Sequence, residues 1–209
     1  MIDVYAFATP NSLKVPIALE ELGLDYVLHA VDIKRGEQRA PQFLALNPNG
    51  KVPVLVESGA EGRAVLTESA AILVHLAETH DALLPSTGMA RARVFEQLFF
   101  HASAVSPAYG QAGFFKRLAA EPQPLALQRF EAEARRVTGL LDATLARHPF
   151  VAGDAYSIAD IAHFGWIWRH QFPGLDLADT PHVAAWHARM LERPAVQRAI
   201  ARVNALVPA

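Results

Sequence analysis

The sequence predicts a mixed α/β unit followed by an all-helical one. Three observations carry that prediction. The first 80 residues alternate strand-type and helix-type apolar patterns, and from about Ala82 onward no strand pattern recurs. Between the two regions lies Pro85-Ser86-Thr87-Gly88, a proline–glycine stretch of linker composition. The expected domains are therefore 1–80 and 87–209, and a chain of 209 residues has ample material for a core in each.

In the first domain, Ile2–Phe7 alternates loosely and reads as a strand. Leu13–Leu22 sets Val15, Ala18, Leu19 and Leu22 at helical spacing, and Gly23 stands where a helix C-cap belongs. Tyr26–Val31 is a second strand of aromatic and branched residues, so strand, helix and strand form a βαβ unit. Gln38–Leu46 reads as a short helix carrying Phe43, Leu44 and Leu46. Val54–Val56 and Ala64–Leu66 flank a Gly-bearing turn and predict an antiparallel hairpin. Glu68–Glu78 returns to helix. A small mixed sheet of four strands with three helices is the thioredoxin-like arrangement.

The second domain is read from helical stripes and prolines. Ala90–Ala104 presents Val94, Leu98, Phe99 and Ala102 on one face, and Pro107 should interrupt or bend the helix near its end. Leu125–Leu145, set off by Pro122 and Pro124, is a long amphipathic helix with Leu127, Phe130, Ala134, Val137, Leu141 and Leu145 as its stripe. Ser157–Arg169 is strongly apolar, and Trp166, Trp168 and Trp186 are taken as packing. Pro181–Leu191 and Pro194–Val203 each begin with proline at a position suited to the first helical turn. Ser157-Ile158-Ala159-Asp160 is a capping box: the Ser157 hydroxyl should accept the Asp160 N–H, and the Asp160 carboxylate the Ser157 N–H. That role explains Asp160 without catalysis.

Composition excludes several function classes. A formal charge of -2 gives no reason to expect nucleic acid. No apolar run reaches membrane-spanning length, so no membrane partner is expected. Asp3 and Pro10-Asn11 break the early apolar stretch, residues 1–20 do not read as a signal peptide, and a cytoplasmic protein is expected. There is no cysteine, which removes disulfides, zinc–thiolate sites and any protein thiol nucleophile. Any sulfur chemistry needs a thiol brought by a small molecule. The histidines show no ligand spacing, and no metal is expected.

The most informative stretch is Asn49-Gly50-Lys51-Val52-Pro53-Val54-Leu55, with Thr67-Glu68-Ser69 beyond it at a helix start. Asn49-Gly50 marks a turn, and Pro53 stands at a strand entrance, where it offers the sheet no N–H. A cis Val52–Pro53 bond would turn the Val52 N–H and C=O outward, free to bond an extended peptide. Glu68-Ser69 brings hydroxyl, N–H and carboxylate groups to a helix N-terminus, a seat for a ligand carboxylate. Together they predict a peptide-binding site.

On these motifs, and on Thr67-Glu68-Ser69-Ala70-Ala71-Ile72 and the segment Gly153 to Asp160, the chain resembles the cytosolic glutathione transferases over essentially its whole length. The resemblance implies a thioredoxin-like domain, a short linker and an all-helical domain, with glutathione as co-substrate. It implies that Val52, ahead of cis Pro53, pairs with the cysteinyl backbone of glutathione. Glu68 and Ser69 would hold its γ-glutamyl carboxylate and amine. Lys51 would approach the glycyl carboxylate, as would Gln38 or Arg39, although Asp32–Arg39 is compact beside the longer loop frequent in the bacterial nu-class and prion-like transferases, the subgroup resembled most.

Thr9-Pro10-Asn11, with Lys14 two places beyond Ser12, resembles the bacterial nu-class and prion-like transferases. That likeness implies that Thr9 and Asn11 flank the glutathione sulfur and that disulfide-bond reductase activity is typical. Ser12 is a third small donor in the same loop, and which of Thr9, Asn11 or Ser12 stabilises the thiolate stays open. Tyr5 lies inside the strand and is a poor match for a catalytic tyrosine. The subgroup also implies an arginine from the helical domain, here Arg136 or its neighbour Arg135, and Tyr109 and Phe114 are candidates for an acceptor pocket. A homodimer is implied, the first domain of one subunit against the helices of the other, with Phe99 and Phe100 on the helix at the contact. The activity expected is attack of a glutathione thiolate on a small electrophile or a small disulfide. The alternatives are a non-catalytic glutathione-binding or scaffold protein and a glutathione-dependent isomerase.

Overall fold

The structure is a computed structural model that describes residues 1–60 and 62–207. The chain forms two compact units, one of residues 1–82 with the segment from Glu192 onward, the other Leu83–Leu191. The first unit runs β1 (Ile2–Ala6), α1 (Pro10–Leu22), β2 (Val27–Ala30), α2 (Pro41–Leu44), β3 (Val54–Gly59), β4 (Gly62–Thr67) and α3 (Ser69–Thr79). Its four strands lie in the order β2-β1-β3-β4. β1 pairs parallel with β2, as a βαβ unit requires, and antiparallel with β3, which in turn pairs antiparallel with β4. Val54 is matched with Tyr5 on one side and Thr67 on the other. The ladder therefore begins just after Pro53 and leaves Val52 beyond its end.

The local signals act much as expected at most ends. Gly23 closes α1 at φ 68°, its N–H reaching the carbonyls of Leu19 and Glu20. The helix predicted over Gln38–Leu46 is instead broken: a 3-10 turn covers Glu37–Arg39 and α2 spans just Pro41–Leu44. Pro41 is the reason, because its ring holds the preceding Ala40 extended, at φ -67° and ψ 141°.

The second unit contains α4 (Gly88–Phe100), α5 (Ser106–Arg117), α6 (Pro124–Leu145), α7 (Ile158–Ile167) and α8 (Pro181–Glu192). Between α4 and α5 the backbone widens into a π turn over His101–Val105. Pro107 has no N–H to offer the Ser103 carbonyl, and the ladder is re-spaced immediately ahead of it. α7 is buried along its whole length, which its unbroken apolar sequence demands. Phe172 lies so close over Gly113 that a Cβ there would stand 2.0 Å from its ring.

The final helix, α9 (Pro194–Asn204), corrects the expected division at 87–209, because it packs on α1 within the first unit. It buries Ala195, Val196, Ala199 and Val203. Arg193 grips Glu21 at 2.6 and 2.9 Å, Arg198 meets Glu20 at 2.6 Å, and the Arg202 guanidinium sits 3.8 Å from the centre of the Tyr26 ring. These partners are far apart in the chain, and no local pattern announces them. Among the described residues no helix is long and apolar enough to cross a membrane.

Candidate active site

The loop before β3 is built by Asn47. Its side-chain Nδ2 donates to the Lys51 carbonyl at 2.7 Å, its Oδ1 accepts the Asn49 N–H at 3.0 Å, and its own carbonyl accepts the Gly50 N–H at 2.9 Å. Gly50 takes φ 64°, and a Cβ there would press on the Gln38 carbonyl at 3.3 Å, so both backbone and space call for glycine. The Val52–Pro53 bond is cis. The Val52 side chain packs on the cluster of Val31, Phe43, Val54 and Val56. Among the described residues nothing hydrogen-bonds to its N–H or C=O. The residue is anchored by its apolar half and leaves its polar backbone unclaimed, an open address for an extended peptide.

The start of α3 supplies the second wall. Glu68 stands at its N-cap with φ 68° and ψ 112°, a positive φ in a non-glycine residue, which costs about 1–3 kcal/mol. Its carbonyl accepts the Ile72 N–H at 3.0 Å, but its carboxylate caps nothing. The first N–H groups of α3 are left without intrahelical partners, at the positive end of the helix. Ser69 is nearly buried, and its Oγ accepts from the Lys14 ammonium at 3.3 Å.

The start of α1 supplies the third. Thr9 is the N-cap: its Oγ1 accepts the Ser12 N–H at 3.1 Å and bonds the Ser12 hydroxyl at 2.9 Å. Ser12 has no exposure, and its Oγ also accepts the Phe7 N–H at 3.3 Å. The Thr9 and Ser12 hydroxyls thus hold the loop together, and full burial keeps Ser12 from touching a ligand, against the sequence expectation. Asn11 does line the cleft. Its Oδ1 accepts from the Lys14 ammonium at 2.8 Å, which leaves its Nδ2–H groups to face outward. Lys14 is 1% exposed. Burial pushes its ammonium down to about 7, with nearby Glu68 acting against the shift.

These walls enclose a cleft of about 330 Å³ that gathers Asn11, Lys51, Val52, Pro53, Glu68 and Ser69. The amides of Asn47 and Asn49 complete its rim. Gln38 sits on the 3-10 turn behind Gly50, with its Oε1 buried and unbonded. Arg136 lies exposed on α6, clamped by both carboxylate oxygens of Glu133 at 2.8 and 2.7 Å, and Arg135 meets Glu131 at 3.4 Å. Tyr109 corrects the acceptor-pocket expectation: it is fully buried, with its hydroxyl 2.6 Å from that of Thr138. Phe114 is 44% exposed, edge-on to Phe115. Two residues of the site were undervalued by sequence reasoning. Lys14 is a charge inside the apolar run Leu13 to Leu19, and Asn47 opens the Asn-Pro-Asn-Gly turn; both are signals in plain view.

A thioredoxin-like sheet whose strand entrance presents a free backbone beside an open helix start, on a chain that continues into an all-helical unit, defines a class of two-part thioredoxin-like proteins with a polar cleft at the sheet edge. Comparison with known proteins identifies the family. The model of the N-terminal domain of glutathione S-transferases matches residues 8–79, and that of the C-terminal domain matches residues 99–194. The chain belongs to the glutathione S-transferase family. The disulfide-bond oxidoreductase YfcG of Escherichia coli is 39% identical over 209 residues, spanning 98% of this chain and 96% of its own. A glutathione transferase family member from Pseudomonas fluorescens, crystallised with two glutathione bound, superposes with a TM-score of 0.89 at 35% identity, covering 95% of this chain and 92% of that one. A glutathione transferase from Pseudomonas putida, with one glutathione disulfide bound per subunit, gives 0.88 at 33% identity, covering 95% and 90%.

Proposed function

We propose that this protein is a glutathione-dependent enzyme that activates the glutathione thiol and uses it to reduce small disulfides. The observation that carries the reading is the union, in one cleft, of the unclaimed Val52 backbone, the open start of α3 and the Asn11 amide. Extended glutathione would pair its cysteinyl N–H and C=O with those of Val52, beside Pro53. Its γ-glutamyl carboxylate would lie on the Ser69 hydroxyl and the first N–H groups of α3, and its ammonium against Glu68. Lys51 would take the glycyl carboxylate. The Asn11 Nδ2–H and the N-terminus of α1 then favour the thiolate over the thiol, with Thr9 and Ser12 holding the loop behind. Gln38 and Arg136 are carried as further glutathione contacts on the family likeness.

The reaction balances without a protein thiol. The glutathione thiolate attacks one sulfur of a disulfide, forming a mixed disulfide and expelling a thiolate that takes a proton. A second glutathione attacks the mixed disulfide, yielding glutathione disulfide and the second thiol. A chain with no cysteine requires that route. The name of the Escherichia coli relative and the paired glutathione or glutathione disulfide in the neighbours support it. A homodimer also belongs to the reading. Phe99, 69% exposed on α4, supplies an apolar face for it, and a single-chain mass in sedimentation at micromolar concentration would remove it.

The deciding assay sets hydroxyethyl disulfide beside an activated aryl halide, each with glutathione. The disulfide should turn over faster. Turnover of the halide alone would move the protein to thioether formation, and binding of glutathione with neither turned over would make it a non-catalytic binder.

A further inference from the structure

We propose that Lys14 is a positioning residue of this site: its buried ammonium locks Asn11 and Ser69 to each other, so that the amide facing the thiol and the hydroxyl facing the carboxylate are presented as one unit. The inference rests on the glutathione reading and deepens it. The geometry is direct, because one Nζ donates to Asn11 Oδ1 at 2.8 Å and to Ser69 Oγ at 3.3 Å, joining the first turn of α1 to the first residue of α3.

Each bond sets a direction. An Asn11 amide whose oxygen is held by a cation turns its Nδ2–H groups to the cleft; released, it can rotate and offer the oxygen, which repels a thiolate. A Ser69 hydroxyl that already accepts from Lys14 has its own proton free for the ligand carboxylate. The cation also adds positive potential beneath two negative ligand groups without meeting solvent.

The energetics separate this role from a purely structural one. Burial is the larger influence on Lys14 and it disfavours the charge, while Glu68 favours it. The folded chain therefore holds this proton less tightly than the unfolded chain does, and the charged form opposes folding. Other charged groups on the elements packed against α1 have partners of their own: Arg193 and Arg198 hold Glu21 and Glu20, Asp3 of β1 meets His29, His75 of α3 meets Glu57, and Glu78 of α3 is likewise engaged. A buried cation that opposes folding and bridges two cleft residues has its purpose in the cleft.

The test uses the full chain with Lys14→Met, an apolar replacement of similar length. The folding midpoint should hold or rise, while glutathione affinity falls at least about tenfold. The ultraviolet absorbance of the bound thiolate, followed against pH, should shift upward by about one pH unit, a readout that a structural role would leave in place. In an Asn11→Ala, Ser69→Ala background the same replacement should cost less than about threefold, because the groups it positions are gone. Unchanged affinity, an unmoved thiolate titration, or an equal loss in both backgrounds overturns the inference while the glutathione reading stands. Failure of the unsubstituted chain to bind glutathione overturns that reading and this one with it. If Lys14→Met is recovered unfolded, Lys14→Leu, which likewise offers no donor to Asn11 or Ser69, carries the same expectations and the same overturning results.

Discussion

Two helix starts in this molecule pair a serine with an acidic residue and use them in opposite ways. At α7 the chain closes its own end. The expected capping box is complete in both directions: the Ser157 side chain faces the Asp160 N–H and also accepts the Ala159 N–H at 3.3 Å, and Asp160 Oδ2 accepts the Ser157 N–H at 3.0 Å. Asp160 Oδ1 takes two more donors, the Val151 N–H and the Trp186 Nε1, each at 3.0 Å, and the carboxylate is fully buried. At α3 the acid caps nothing and sits on a strained backbone, while among the described residues the first N–H groups have no hydrogen-bond partner. A helix end that the chain satisfies from within becomes a joint; one that it leaves open at the cost of strain is the end proposed here to take the ligand carboxylate.

The sharpest way to break that contrast is Asp160→Ala. Four donor contacts lose their acceptor at a fully buried position, and the loss in denaturant-derived stability should be about 3–5 kcal/mol. Glutathione affinity of the protein that remains folded should not move. A loss below about 1 kcal/mol would reduce the joint to an ordinary cap. The same carboxylate gives a pH signature. Burial raises it to about 6 from an ordinary value of 3.8. Between those values the folded chain keeps a proton that the unfolded chain has released, so the contribution of Asp160 to stability should decline as pH rises from about 4 to 6.

Ser69→Ala tests the open end. It removes a hydrogen bond to a charged ligand group and should weaken glutathione binding by about 1.5–3 kcal/mol in calorimetry. Stability should change by less than about 1 kcal/mol. Equal damage to stability and affinity would erase the distinction between the two helix starts. The smallest effect is expected from Glu68→Gly. Relief of the positive φ should outweigh the added chain entropy and raise stability by about 1 kcal/mol in thermal unfolding, while glutathione affinity falls. A destabilised Glu68→Gly would show that Glu68 serves the fold.

Much of this was legible in the residues. The four strands, with their βαβ unit and hairpin, rest on strand patterns and on glycines and prolines that work locally, and Val52-Pro53 and Glu68-Ser69, which line one cleft, could be singled out because each motif is a short contiguous run. Other features escaped for a physical reason. The short helix after Gln38 gave way at Pro41, where the constraint falls on the residue before the proline. Tyr109 looked like a pocket aromatic and proved to be core, since helical spacing alone does not say which neighbours a face meets. Thr9, Asn11 and Ser12 looked alike in sequence; the Thr9–Ser12 hydroxyl pairing left Asn11 at the cleft.

By itself the sequence determined the local conformations and the chemistry on hand: a sheet edge ended by proline, helix starts rich in small donors, and no thiol of its own. Those are short-range matters, decided by φ preferences, apolar periodicity and residue type within a few positions. Tertiary packing alone decided which groups meet. It brought α9 back to Glu20 and Glu21, buried Asp160 beneath Trp186, and set the Lys14 ammonium between Asn11 and Ser69. Burial and long-range pairing depend on the whole fold, and no window of the chain contains them.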